Sequence, residues 1–289
     1  MLSSVVGYRI LGRAEPAASA RTAYLCEAPH RLGLADQVLL SELAGSALRL
    51  TEVSDVLRRY AAVPSDHLLA LYELLGEEGS SSLFLASEAS SRGTLGNAAS
   101  PLEAQAKALA VAAAARGAHD LHSAGIAHGS ISPDAIFLTG RGPVLGPPDM
   151  VSPAGKVTTS KPGGALNYVD PALLRGEAPS RASDIWSLGA SLHVSLSSTT
   201  LYPGLDDDEP VIAVQRVLYS RPRLDPGLPA EILDVIRSCT DSDLSKRPPT
   251  ALAIASILEG YEFADLSAPT TEQDLADAVS ASDPKGGVA

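Results

Sequence analysis

The chain has 289 residues, of which 45% are hydrophobic and 19% are charged, a balance typical of a folded globular protein and not of a disordered one. Its formal net charge is −12 and no basic stripe is visible, which argues against binding to nucleic acid. The two cysteines, Cys26 and Cys239, lie far apart and outside any metal-ligand spacing, so they indicate a reducing compartment without a disulfide framework.

The first region, residues 1–93, is predicted to be rich in strands with one helix. Alternating or β-branched runs bounded by Gly and Pro predict strands at Tyr8–Leu11, Thr22–Glu27, Gln37–Leu40, His67–Leu75 and Ser82–Ala86. A helix is predicted over Thr51–Ala62, because four apolar residues recur there at helical spacing. These four residues are Val53, Val56, Leu57 and Tyr60.

The second region, residues 94–263, is predicted to be mostly helical, and residues 264–289 form a polar tail. Ser100 is the predicted cap of a helix that runs to about Ser123, with Pro101 in its first turn and Glu103 three residues after the cap. A strand–turn unit follows, from Ala135 to about Pro148. Four more helices are predicted, at Asp184–Ser197, Glu209–Tyr219, Pro229–Cys239 and Thr250–Tyr261. A strand-rich lobe followed by a larger helical lobe predicts an α+β architecture.

Nothing along the chain indicates membrane insertion or secretion. The alanine-rich stretch Lys107–Ala118 is too short, and too interrupted by charge, to span a bilayer. The N-terminal residues MLSSVVGYRI lack a basic segment followed by a long apolar one, so no signal peptide is predicted. We therefore expect a cytoplasmic protein.

Four motifs in the second region occur in a recognisable order. They read HGSISPDAIF (residues 128–137), GALNYVDPA (164–172), SDIWSLG (183–189) and DLSKRPPT (243–250). Together they resemble the loop HRDLKPENIL, the segment GTxxYMSPE, the helix start SDIYSLG and the closing DPxxRPT of bacterial Ser/Thr protein kinase domains. The resemblance covers roughly Tyr8–Tyr261 and implies the kinase-like two-lobed fold, with a small β-rich N-lobe and a larger helical C-lobe.

The resemblance also shows which residue types stand at the family's catalytic positions. Phosphoryl transfer in kinases uses a Lys on the third strand, an Asp that orients the acceptor hydroxyl, and Asp and Asn ligands for Mg²⁺. Leu40 falls near the place of the Lys, and no Lys precedes Lys107. Ser130 stands for the orienting Asp, and Ser132 for the Lys two positions further on. Ala135 replaces the Asn and offers no ligand oxygen.

The sequence allows two alignments for the metal-binding Asp. If residues 144–146 form the strand that leads into it, Pro147 takes its place; if the loop is longer, Asp149 is a weak candidate for the carboxylate. The Gly-rich lid would span residues 12–21, where only Gly12 is glycine and Pro16 hinders close approach of the backbone to phosphate. For the carboxylate that pairs with the Lys, the predicted helix offers only Glu52 or Asp55, and Arg31 is the nearest substitute cation.

Other motif residues are expected to keep a structural role. His128 is interpreted as a packed core residue, and Asp184 is expected to accept backbone N–H bonds from the loop around it. Trp186 is expected to pack the helix that carries Asp184. Arg247 is present, whereas the Glu with which it pairs in the family is Ala172 here; its partner is left open among Asp170, Glu177 and Asp243. Asp134 and the acidic run of residues 206–209 are interpreted as polar surface without chemistry.

Two pairs of threonines are candidate phosphoacceptors. Thr158 and Thr159 lie where kinases carry activation-loop phosphosites, although an exposed polar loop is the simpler interpretation. Thr270 and Thr271 lie in the tail, and Thr271 with Asp274 at +3 resembles the phospho-Thr pattern that FHA domains bind. A helix start is the simpler interpretation of this pair.

These observations predict a pseudokinase, in which the fold is kept and the catalytic site is lost. We expect neither ATP nor Mg²⁺ as a cofactor. The expected partners are proteins, among them an active Ser/Thr kinase and an FHA-type reader, with no nucleic acid. Two alternatives are an atypical kinase with residual phosphotransfer and a nucleotide sensor that binds ATP without transferring phosphate.

Overall fold

A computed structural model provides the fold, and it describes residues 4–5, 7–14, 20–33, 37–43, 50–76, 83–90, 92–148, 166–197, 199–205 and 209–263. These residues form an antiparallel N-terminal sheet with one helix, followed by a mostly helical lobe that carries a two-stranded hairpin. The predicted two-lobed α+β architecture is confirmed.

The N-terminal sheet has the strand order β1-β2-β3-β4-β6-β5. Its strands are β1 (Ser4–Val5), β2 (Tyr8–Ala14), β3 (Ala20–Glu27), β4 (Gln37–Leu43), β5 (Leu71–Leu75) and β6 (Phe84–Glu88). The strand predicted to begin at His67 begins only at Leu71. Before this strand, the N–H of Leu69 donates to the carbonyl of Leu145 in the C-terminal lobe at 2.9 Å, so this residue is not paired within the sheet.

Helix α1 (Leu50–Ala61) buries Val53, Leu57 and Tyr60, and it packs on this sheet through Val53 and Leu57. Val53 and Leu57 contact Leu43 on β4, together with other buried leucines of the sheet. Val56 shares the helical spacing of these residues, but its side chain is 39% exposed. Val56 lies at the edge of the apolar arc of the helix, and the sheet covers only the centre of that arc.

Helix α2 (Ala104–Ser123) is the central element of the larger lobe. Its many alanines allow close packing on all sides, and a Cβ added at Gly117 would lie 2.7 Å from the carbonyl oxygen of His67. The predicted cap at Ser100 is wrong, because the helix starts at Ala104 with Glu103 in the N-cap position. The N–H of Ala99 bonds instead to the carbonyl of Arg92 at 3.0 Å, which ties this stretch to the inter-lobe connection.

The remaining elements complete the larger lobe around one core. The hairpin consists of β7 (Ile136–Thr139) and β8 (Gly142–Leu145). The helices are α3 (Pro171–Leu174), α4 (Arg181–Leu196), α5 (Pro210–Tyr219), α6 (Ala230–Cys239) and α7 (Ala251–Gly260). Four of these five were predicted to within three residues, whereas the one-turn helix α3 was not predicted. Within the described part of the chain, no helix has the length and apolar character that crossing a bilayer requires.

Candidate functional site

The side chains of strand β4 alternate between the outer side of the sheet and the space between the lobes. Leu40 is fully buried on the outer side of the sheet, where it clusters with Tyr8 and Cys26. Leu39 points the other way and packs toward the larger lobe. Because neighbouring residues on a strand point to opposite faces, Ser41 shares the side of Leu39. Leu40, which falls near the place of the lysine in the sequence, therefore faces the outer side, and the inward positions of β4 are Leu39 and Ser41.

A compact apolar cluster fills the junction between the two lobes. We call it the interlobe cluster, and it consists of Ala23, Leu39, Leu69, Phe137 and Val144. Each member has at most 6% of its surface exposed. Ala23 and Leu39 come from the sheet, and Phe137 and Val144 from the hairpin, so the cluster joins the N-terminal sheet to the larger lobe. The cluster is closely packed, since a Cβ added at Gly146 would lie 2.5 Å from the ring of Phe137.

Helix α1 places the hydrogen-bonding side chain of Tyr60 against this junction. The hydroxyl of Tyr60 donates to the carbonyl of Leu145 at 2.6 Å and lies 3.3 Å from that of Leu69. Of the two candidate acids, Asp55 is exposed and pairs with Arg58 at 2.9 Å, one turn along the helix. Glu52 lies outside the buried face formed by Val53, Leu57 and Tyr60.

Arg31 was the nearest candidate for a substitute cation, and the structure places it on the outer side of the sheet. Its guanidinium lies 5.2 Å from the centre of the Tyr8 ring and donates to Glu73 at 2.8 Å. That hydrogen bond lowers the pKa of the Glu73 carboxyl. The charge of Arg31 is thus used at the surface, away from the interlobe cluster.

The loop after α2 is organised around His128. Its ring Nε2 lies 3.0 Å from the carbonyl oxygen of Gly146, and its Nδ1 lies 3.3 Å from the backbone N–H of Ser130. Complete burial lowers the pKa of this histidine. Both ring nitrogens therefore have partners inside the protein, which matches the interpretation of His128 as a packed core residue.

The remaining degenerate positions line the same turn. Ser132 precedes the 3-10 turn Pro133–Ala135, and its carbonyl accepts from the N–H of Ala135 at 2.9 Å. The carbonyl of Ala135 accepts from the N–H of Gly146 at 2.8 Å, just after β8 ends. Pro147 follows directly, so the position of the Asn ligand carries the methyl group of Ala135, and the metal-binding Asp is replaced by a pyrrolidine ring only if it aligns with Pro147. Asp149 lies outside the described residues, and the choice between it and Pro147 stays a prediction.

Asp184 is the anchor of this loop, as expected from the sequence. Its two carboxylate oxygens accept the backbone N–H groups of His128 and Gly129, each at 2.7 Å. A third partner was not predicted: Nε2 of His122 lies 2.8 Å from Oδ2 of Asp184, and both side chains are buried. The available signal was a histidine in the last turn of α2, six residues before His128.

Arg247 has one buried acidic partner, and it is Asp170. The two side chains approach to 2.5 Å and are 3% and 2% exposed. The guanidinium also donates to the carbonyls of Ala182 and Asp241 and lies 5.0 Å from the centre of the Trp186 ring. Of the three partners that the sequence left open, Glu177 and Asp243 are exposed and bond locally. The carboxylate that restores the pair thus lies two residues before Ala172.

Three other predicted features remain: Asp134, the acidic run of residues 206–209 and the candidate phosphoacceptors. Asp134 accepts a hydrogen bond from the hydroxyl of Thr94 at 3.3 Å and packs against Gly96, so it joins two turns. Of the acidic run, Glu209 is described and is the exposed N-cap of α5. The candidate phosphoacceptors lie outside the described residues: Thr158, Thr159, Thr270 and Thr271.

Comparison with known proteins gives a consistent family signal. The family model for the protein kinase domain matches residues 50–258. The chain is 30% identical over 147 residues to the Ser/Thr protein kinase PknK of Mycobacterium tuberculosis, which is 49% of this chain and 13% of PknK. It is 30% identical over 167 residues to the tyrosine-protein kinase MasK of Myxococcus xanthus, covering 53% of this chain and 26% of MasK. The matches therefore span a minor part of these relatives.

A solved structure supports the fold along most of the chain. The crystal structure of the PknI kinase domain of Mycobacterium tuberculosis superimposes with a TM-score of 0.64, covering 90% of this chain and 98% of that domain. The two sequences are 18% identical. At this identity the likeness shows the fold alone.

Proposed function

The chain belongs to the protein kinase domain family, and from this premise we propose that it is a catalytically inactive member, a pseudokinase that acts as a regulatory or scaffolding module for protein partners. The observation that carries the proposal is the interlobe cluster. In a kinase the junction between the lobes receives the nucleotide. Here Leu39 and Phe137 belong to one apolar cluster at that junction, and each member of the cluster is at most 6% exposed.

The polar residues near this junction support the same proposal. A serine at position 130 donates and accepts hydrogen bonds but is not an anionic base near neutral pH. A hard divalent cation requires oxygen ligands, which the side chains of Ala135 and Pro147 do not have. Ser41, on the inward side of β4, carries no charge that would hold the α- and β-phosphates. These residues do not fit a magnesium nucleotide.

The residues that match the family's pattern have structural roles. Asp184 holds the loop at His128, and Arg247 joins α3 to the segment before α7 through Asp170. A fold preserved without its catalytic side chains is useful as a binding surface. We accordingly propose protein partners, among them an active Ser/Thr kinase that phosphorylates the chain and an FHA-type reader of phospho-Thr271, in the cytoplasm.

The second candidate is an atypical kinase that binds ATP with residual phosphotransfer. It is favoured by one observation, that the sequence supplies a carboxylate at Asp149, shortly after β8. It would require a conformation in which the interlobe cluster separates, and a cation other than the absent lysine to hold the phosphates.

A thermal melt of the purified chain with ATP, alone and with Mg²⁺ or Mn²⁺, separates the two candidates. A ligand at 100 times its dissociation constant stabilises the folded state by about 2.7 kcal/mol, which a melt resolves. We expect no shift with any metal, whereas an active bacterial Ser/Thr kinase domain run in parallel should shift. A metal-dependent shift of this chain, reversed by Asp149→Ala, would overturn the proposal and favour the second candidate.

A further inference from the structure

Helix α5 (Pro210–Tyr219) has apolar side chains on two opposite faces. Its inner face is formed by Ala213 and Val217, which are 2% and 1% exposed and pack in a cluster with Leu201 and Tyr202. Its outer face carries Val211, Ile212 and Tyr219, which are 69%, 47% and 85% exposed. Among the residues that the structure describes, Tyr219 and Val211 are the two most exposed large apolar side chains.

The outer side chains form one continuous stripe. At about 100° per residue, Val211, Ile212, Gln215 and Tyr219 fall within one arc of roughly 100°, on the far side of the helix from Ala213 and Val217. A helix needs only one apolar face to pack on its own domain. A second apolar stripe on the solvent side is typical of a surface that binds another macromolecule. We call these four residues the α5 stripe.

Charge is distributed unevenly along the helix that carries the stripe. At its N-terminal end lies the exposed Glu209, and the sequence adds three aspartates just before it. At its C-terminal end lie the exposed residues Arg216, Arg221 and Arg223. The helix is therefore acidic at its start and basic at its end, and the apolar stripe runs between the two.

We propose that the α5 stripe is a self-association surface that binds the same stripe of a second copy of this chain in an antiparallel, two-fold symmetric pair. In a two-fold interface the same patch meets itself in reverse order. Reversal brings the acidic start of one helix to the basic end of the other, and Val211 of one copy to Tyr219 of the other. A uniformly acidic or basic partner would complement only one end of the helix.

The size of the stripe sets the expected strength of the pair. A ten-residue helix is about 15 Å long, so a contact centred on it buries less than the roughly 800 Å² per partner of a standard interface. We therefore expect a reversible dimer with a dissociation constant on the order of 1–100 µM. This inference concerns a surface remote from the interlobe cluster and is independent of whether nucleotide binds.

The first test is sedimentation velocity over a concentration series up to about 0.5 mM. The unmodified chain should pass from monomer to dimer, and Tyr219→Asp should weaken the dimer by at least about tenfold. Leu244→Asp is the matched control, because Leu244 is 54% exposed but lies outside α5, and it should leave association unchanged. A chain that stays monomeric throughout, or a dimer that tolerates Tyr219→Asp, would overturn the proposal.

A second test reads the symmetry directly. Gln215 lies four residues from both Val211 and Tyr219, so in the antiparallel pair it faces its own copy near the two-fold axis. Gln215→Cys should form an intermolecular disulfide under mild oxidation, while Arg59→Cys on the exposed side of α1 should not. The native cysteines do not interfere, because both are buried. Equal cross-linking at the two positions would contradict the arrangement.

A charge exchange tests the polarity of the pair. Glu209→Arg alone and Arg221→Glu alone should each weaken the dimer, because each places like charges opposite each other. The double variant restores opposite charges at both ends and should recover most of the association. Failure of the double variant to recover, with both single variants weakened, would mean that the two ends do not meet, which overturns the antiparallel pairing.

Discussion

Replacing Asp170 with alanine tests the buried ion pair that the structure assigns to Arg247. The substitution removes the carboxylate 2.5 Å from the guanidinium and leaves that cation in a site where it is 3% exposed. Breaking a buried pair by removing one partner costs about 3–5 kcal/mol. The carbonyls of Ala182 and Asp241 still bind the guanidinium, which favours the lower end of that range.

A second loss adds to the first. Asp170 is also the N-cap of α3, where its Oδ1 accepts from the N–H of Ala172 at 2.9 Å. Removing such a cap costs about 1 kcal/mol. We expect a total of about 4 kcal/mol, which for a domain of this size lowers the melting temperature by roughly 8–16 °C.

The chain supplies its own probe for this measurement. Trp186 is the only tryptophan and lies beneath the guanidinium of Arg247, so urea unfolding followed by its fluorescence reports on the site. Glu177→Ala is the matched control, because Glu177 is an exposed acid seven residues away, and its loss should stay within about 0.5 kcal/mol. The double variant Asp170→Ala/Arg247→Met should recover part of the loss, since no unpaired buried charge remains. A loss below about 1 kcal/mol for Asp170→Ala, or an equal loss for Glu177→Ala, would refute the assignment.

Three further predictions concern the interlobe cluster, His128 and the tail. Gly146→Ala should destabilise the fold by about 1–3 kcal/mol in urea unfolding, because the added Cβ meets the ring of Phe137; an unchanged midpoint would show slack in the cluster. Burial holds the pKa of His128 below its ordinary value of 6.5, so the unfolded state takes up the proton first and stability should fall as the pH drops below about 6.5. His128→Gln should flatten this dependence, and an identical pH profile would contradict it. Incubation with an active Ser/Thr kinase should place phosphate on Thr271 or Thr270. If mass spectrometry finds neither residue modified, the phosphoacceptor hypothesis is wrong.

Local signals were sufficient for most of the helices of the larger lobe. The helix predicted at Thr250–Tyr261 is observed at Ala251–Gly260, with the side chain of Thr250 accepting from the N–H of Ala253. The helix predicted to start at Asp184 starts three residues earlier at Arg181, where Ser180 and Ser183 form a capping box. Caps and apolar periodicity act within a few residues, which is why they can be recognised without knowledge of the fold.

The face of β4 to which Leu40 belongs could not be predicted in this way. A strand has a period of two, so a shift of one residue exchanges the inward and outward faces. The run QVLLSEL has apolar residues on both faces, because the sheet is buried on one side by Tyr8 and Cys26 and on the other by the interlobe cluster. Its sequence pattern therefore could not distinguish Leu40 from Leu39 or Ser41.

The sequence by itself determined the family, the order of most of the elements and the residue types in the four motifs, since all of these are read along the chain. It also determined that no lysine precedes Lys107. Only the tertiary structure decided that Arg247 pairs with Asp170, that His122 joins His128 at Asp184, and that Phe137 packs in one cluster with Leu39. These partners are 77, 62 and 98 residues apart in the numbering, and nothing in a local pattern specifies which distant groups the fold brings together. Burial then makes each of these contacts consequential, because polar groups removed from water must find a partner inside the protein.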